Sequence, residues 1–168
     1  MTDAPATPTP PAGDPNATTI RVMGQYVKDL SFENPGAPDT LRQPSQPNIR
    51  MSVDLGARAL GDDTYEVQLV MGAHAGEQDN PVFIVELTYA GLFQIKNIDE
   101  RARDAFLLIE CPRILFPFAR RIISDATRDG GFMPLMIEPI DFAALYRQRA
   151  LQAQQQGQGT EEPPVGNA

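Results

Sequence analysis

Four stretches of this chain alternate apolar and polar residues with a period of two, and no membrane-length apolar run competes with them. Ile49, Met51, Val53 and Leu55 alternate with Arg50, Ser52 and Asp54. Tyr65, Val67, Leu69 and Met71 alternate with Glu66, Gln68 and Val70. Such alternation sends one set of side chains to a core and the other to water, which predicts half-buried strands. Residues 82–89 add a strand with Phe83, Val85, Leu87 and Tyr89 on one face and Val82, Ile84, Glu86 and Thr88 on the other. Residues 19–30 alternate more weakly and predict a further strand. The turn signal Gly61-Asp62-Asp63 and the break at Gly76–Pro81 leave only short connections, which predict antiparallel hairpins. The segment from Pro35 to Pro47 holds four prolines and predicts a long crossover, a kind of connection that is often functional.

Beyond residue 98 the period changes to that of a helix. Asp99 is placed to cap a helix starting at Glu100, and Pro112 is expected to interrupt it by removing a backbone donor. From Ile114 to Thr127 the apolar positions Ile114, Leu115, Phe116, Phe118, Ala119, Ile122, Ile123 and Ala126 cover an arc of roughly 200° at 100° per residue. A helix lying on one sheet needs a stripe nearer 100°. The excess predicts burial on two sides, against its own sheet and against another subunit, although a deep core helix in a monomer would also account for it. Gly130-Gly131 stops this helix. Asp141 caps a last one, with Phe142, Leu145 and Tyr146 on one face.

Composition excludes several functions. The chain has 168 residues, a formal charge of −8, one cysteine, one histidine and no tryptophan. An acidic chain repels phosphates, so nucleic acid is not an expected partner. A lone Cys111 makes no disulfide, and with His74 it falls short of a structural zinc set. No catalytic constellation or phosphate-cradling glycine pattern is visible, so no enzyme, cofactor or metal is expected. His74 reads as a strand-end residue and Cys111 as a small buried hydrophobe. No apolar run approaches the roughly 18 residues that would span a bilayer. Residues 1–18 are Pro/Thr/Ala-rich and 154–168 Gln/Gly/Glu-rich, so both are expected to be disordered or mobile, around a domain at 19–153. The lone cysteine and the lack of a secretion signal in the leader fit the cytoplasm. Asp29 and Glu33 bracket Leu30-Ser31-Phe32, and Glu86 interrupts an apolar strand beside Ile84. These carboxylates are either ordinary wet-face residues or an acidic docking face for a basic partner.

Several segments carry a resemblance. Tyr26-Val-Lys-Asp-Leu-Ser-Phe-Glu33 with Asn34-Pro-Gly-Ala-Pro38, Asp63-Thr-Tyr-Glu-Val67, Ala90-Gly-Leu-Phe93, and Cys111-Pro-Arg-Ile-Leu-Phe-Pro-Phe-Ala-Arg120 occur in order. Phe132-Met-Pro-Leu135 and Glu138-Pro-Ile-Asp-Phe142 with Leu145-Tyr146 follow. Together they resemble SecB, the bacterial protein-export chaperone family, over about 19–153. The resemblance implies an α+β fold: a four-stranded antiparallel sheet with one long and one short helix on one side, assembled as a homotetramer, a dimer of dimers through the long helix. Ile114, Leu115, Phe118, Ile122 and Ile123 are then the candidates for the helix interface. It implies an ATP-independent holding chaperone that binds unfolded precursors and passes them to the SecA motor. Asp29, Glu33, Ile84 and Glu86 match the family's motor-docking positions. Phe32, Leu41, Phe83, Phe132, Phe142 and Tyr146 are candidates for the client groove. Ser45 stands near a place where the family commonly has tryptophan. A SecB-like chaperone for a toxin–antitoxin or other non-export client is the alternative.

Overall fold

The computed structural model describes residues 17–42 and 47–157, with side chains through 153. Four strands, β1 (Thr19–Glu33), β2 (Ile49–Gly61), β3 (Thr64–Gly76) and β4 (Pro81–Lys96), form one antiparallel sheet in the order β1-β4-β3-β2. The Pro-rich crossover, with the short helix α1 (Asp39–Arg42), therefore carries the chain from one sheet edge to the other. Its residues 43–46, Ser45 among them, lie outside the described residues, as do most of the expected leader and tail.

The β2–β3 hairpin turns where the sequence places it. Asp62 and Asp63 both take positive φ, at 50° and 56°, the pair of left-handed residues whose twist suits a two-residue hairpin. β4 runs seven residues past the expected Tyr89. Ala90 and Gly91 are weak strand formers and end the sequence signal, but β4 is paired on both sides and its neighbours hold it extended.

One face of the sheet builds the core. Val67, Leu69, Met71, Ala73 and Ala75 of β3 and Phe83, Val85, Leu87, Phe93 and Ile95 of β4 are buried beneath α2 (Glu100–Asp129). That helix answers with Leu107, Cys111, Leu115, Ala119 and Ile123, one residue every four. Asp99 caps it, its side chain accepting from the Arg101 amide at 2.7 Å. The expected break at Pro112 does not occur: α2 is one helix of 30 residues with Pro112 and Pro117 inside it. A helical proline costs about 3 kcal/mol, while each large apolar side chain taken from water contributes about 1.5–3 kcal/mol. The buried stripe continues unbroken on both sides of Pro112, which is itself buried, so packing outweighs the missing bond.

Helix α3 (Phe142–Gly157) begins as expected: the Asp141 carboxylate accepts from the Ala144 amide at 3.0 Å. It continues to Gly157, past the expected domain end at 153. Arg149 reaches from it around the sheet edge, donating to the Leu55 carbonyl at 3.0 Å and pairing with Asp54.

Candidate functional site

Two surfaces stand out, on opposite faces of the sheet. The first is an apolar cleft at the end of the sheet where β1 finishes and β4 begins. Phe32, Phe83 and Phe132 come from β1, β4 and the segment after α2. Their ring centroids lie 5.9 Å (Phe32–Phe83), 6.4 Å (Phe32–Phe132) and 5.0 Å (Phe83–Phe132) apart. The geometry depends on Gly130 and Gly131. Gly131 takes φ +90°, which ends α2, and Leu41 packs against it.

Thr127, fully buried on the last turn of α2, anchors the irregular segment that follows. Its hydroxyl donates to the Ile123 carbonyl at 3.1 Å and accepts from the Leu135 amide at 2.9 Å. The Phe132 amide donates to the Thr127 carbonyl at 3.1 Å. Between this segment and the sheet opens a cavity of about 320 Å³ lined by Pro47, Ile49, Phe83, Phe132, Met133, Pro134 and Leu135. Met133, in this lining, is 87% exposed, a large water-facing area for a residue of this kind; Met136, 68% exposed, lies instead against Pro117, Arg120 and Ser124 of α2.

Four of the six expected groove residues, Phe32, Leu41, Phe83 and Phe132, thus meet here. Phe142 does not: it is buried in the core, edge-on to Phe116 at 6.0 Å, because the first turn of α3 faces inward onto α2. Tyr146, one turn further along α3, is half-buried and does not line the cavity.

The second surface is the outer face of the sheet. Asp29 pairs with Thr88, Ser31 with Glu86 and Glu33 with Ile84. Cross-strand partners share a face, so Asp29, Glu33, Ile84 and Glu86 all stand on the side away from α2. The three carboxylates are exposed, and among the described residues none is in an ion pair.

Further along the same face lies a carboxylate in the opposite condition, which sequence reasoning passed over as a wet-face residue. Glu66 is only 3% exposed. It accepts from the Tyr26 hydroxyl, from Lys28 Nζ at 3.2 Å to each oxygen, from Arg58 Nη2 at 3.0 Å and from Gln68 Nε2 at 2.8 Å. The hydrogen bonds from Tyr26 and Gln68, with those from Lys28 and Arg58, hold its pKa down at about 2 against the cost of burial. The reverse effect, donation to this anion, raises the Tyr26 phenol. Arg58, directly opposite Glu66 across a two-residue hairpin, was the readable signal.

The interface candidates on α2 divide by burial. Leu115 and Ile123 are fully buried in the protomer's own core and offer nothing to a second subunit, a correction to the set of five. Ile114 and Ile122 are half-buried, and Phe118 is 44% exposed and stacked against Tyr89 at 6.4 Å. Beyond Tyr89 the core face of edge strand β1 is uncovered. Ile20, Val22, Val27 and Leu30 pair with Ile95, Phe93, Tyr89 and Leu87, so they point to the α2 side, yet each is 37–44% exposed.

The single histidine and cysteine fit their expected places. His74 lies on the outer face of β3 with Arg50 Nη2 3.1 Å from its Nδ1. Cys111 is buried, and desolvation with the nearby Glu110 charge pushes its thiol up to about 12. No helix among the described residues is long and apolar enough to cross a membrane.

Comparison with known proteins agrees with this architecture. Residues 13–154 match the family model described as preprotein translocase subunit SecB. The chain is 59% identical over 148 residues to the protein-export protein SecB of Maricaulis maris, covering 88% of this chain and 86% of that one. It is 52% identical over 163 residues to the protein of the same name from Hyphomonas neptunium, covering 94% and 96%. Among solved structures, a Mycobacterium tuberculosis SecB-like chaperone in complex with a peptide from an antitoxin superposes with a TM-score of 0.60 at 16% identity. The match covers 72% of this chain and 90% of that one. The sheet order, the helices on one side and the extended match over the structured core agree: this chain belongs to the SecB family.

Proposed function

We propose that this protein is an ATP-independent holding chaperone of the cytoplasm. It binds unfolded precursor proteins, keeps them competent for translocation and delivers them to SecA. One observation carries the reading: a water-facing apolar cleft and an unpaired acidic sheet face occur in the same small domain, on opposite sides of the sheet. An unfolded client exposes apolar side chains, and a cleft built of phenylalanine and flexible methionine accepts them with little sequence preference. Holding the unfolded form draws the client away from its folded state by mass action, which needs no reaction and no cofactor.

The docking role rests on charge. Asp29, Glu33 and Glu86, with Ile84 as an apolar contact, suit a basic patch on the motor, and such docking weakens with salt. The assembly rests on the apolar strip from Ile20 to Leu30, continuous through Tyr89 with Phe118, Ile114 and Ile122. Side chains that point to the core side of a sheet but find no cover there suit a second copy of the same chain. The tetramer, a dimer of dimers, would place several clefts along one client so that weak contacts add.

The fold neighbour solved with an antitoxin peptide keeps a non-export client in view. The quartet on the outer face favours export, because a chaperone that only holds its client has no use for a motor dock. Light scattering of the protein with an unfolded secretory precursor, and separately with SecA, tests the reading. Both complexes are expected; binding to neither would refute it, and client binding without SecA binding would favour the alternative.

A further inference from the structure

Lys28 adjoins Asp29 in the chain but does not neutralise it. It occupies the bulge of β1 between Val27 and Asp29, and its ammonium is held 3.2 Å from both oxygens of Glu66. Arg58 is held by the same carboxylate at 3.0 Å. The other cation near the acidic end, Arg50, lines a shallow pocket with Ile84 and Glu86, but its strand is two away from β4, about 10 Å between backbones, and its Nη2 is turned to His74 Nδ1 at 3.1 Å, with no ion pair to Glu86. Two cations of the outer face, Lys28 and Arg58, thereby converge on one covered carboxylate, while Asp29, Glu33 and Glu86 keep their charge exposed.

We infer that Glu66 is a positioning residue for docking, a countercharge sink that keeps Lys28 off the acidic patch and so preserves that patch for a basic partner. This rests on the docking reading above. Glu66 itself is covered by the side chains around it and offers the partner almost no surface. Its effect is transmitted through Lys28: with Glu66 replaced by a neutral residue, the freed ammonium would turn to Asp29, its neighbour, and compete with the partner's cations for the same carboxylate.

The test titrates SecA against five full-length proteins, the parent and four variants, by calorimetry over a range of salt. Glu66→Gln is expected to weaken binding about three- to tenfold and to flatten the salt dependence, as one or two exposed charge pairs would. Lys28→Met alone is expected to stay within about twofold of the parent, because that charge is already taken up. The double variant Glu66→Gln/Lys28→Met is expected to recover most of the lost affinity and the salt slope. Urea midpoints of the same proteins tell this from a purely structural role, in which the loss and recovery of affinity would merely follow stability and the salt slope of docking would not change. The proposal fails if Glu66→Gln binds like the parent or if the double variant stays as weak as the single. It fails equally if Lys28→Met alone strengthens binding severalfold, a result that can be read even if Glu66→Gln does not fold. Glu86→Lys in the same series separates the two readings. If it leaves SecA binding unchanged the docking face itself is refuted; if it abolishes binding while Glu66→Gln does not weaken it, only the sink is.

Discussion

Phe32 lies directly on the backbone of Gly130: a β-carbon at position 130 would stand 2.2 Å from Cζ of the ring. The end of β1 and the end of α2 therefore approach as closely as they do only because residue 130 has no side chain. This contact sets the spacing of the three phenylalanines and with it the floor of the cleft.

Gly130→Ala should accordingly push the Phe32 ring aside. Overpacking of this kind costs about 1–3 kcal/mol, and the displaced ring should also weaken retention of an unfolded client. Urea unfolding and a client aggregation assay check both effects. Adding Phe32→Leu should recover part of the lost stability, since the ring is what the new methyl meets.

Thr127→Val should destabilise the protein by about 1–3 kcal/mol despite its similar shape, because the Leu135 amide loses its acceptor. Hydrogen exchange at Phe132 to Leu135 should quicken more than in the sheet, showing that the segment over the cleft has loosened.

Acid should weaken the fold partly through Glu66. Its folded pKa, about 2, lies below the ordinary value of 4.5, so the folded state favours the ionised form. The resulting stabilisation is complete above the unfolded value and is lost as pH falls from about 4.5 towards about 2. Urea midpoints measured across that window should fall more steeply for the parent than for Glu66→Gln.

Cys111 should react slowly with a thiol reagent at pH 8 and rapidly in denaturant. Burial holds its thiol protonated, up to about 12, and shields it from the reagent. Native labelling as fast as that of the unfolded chain would contradict this placement.

Phe118→Glu and Val27→Asp should each lower the sedimenting mass below that of a tetramer, by setting a charge on the uncovered strip. Leu115→Ala should instead lower stability by about 2–5 kcal/mol, because that side chain faces its own core. An unchanged mass in both strip variants would place the interface elsewhere.

Much of this architecture was legible in the chain because its strands alternate cleanly and its caps are polar and local: Asp99, Asp141 and the Asp62-Asp63 turn act on their own neighbours. Pro112 misled because a local penalty was outweighed by packing that no short window shows. Leu115 and Ile123 were indistinguishable from Phe118 by hydropathy; only the direction of the sheet sorts them. The three carboxylates and Ile84 were visible as a possible docking set, their motor role came from resemblance, and their convergence on one face came from the β1–β4 register. Glu66 escaped notice because burial of a carboxylate on a wet face needs partners from three strands, brought together only by the folded sheet.

The central claim, a client cleft and a motor dock on separate faces, is tested most directly by titrating SecA calorimetrically into the Glu86→Lys protein. The account predicts that SecA binding is abolished while the tetramer and the retention of an unfolded precursor persist. SecA affinity unchanged from the parent would contradict it.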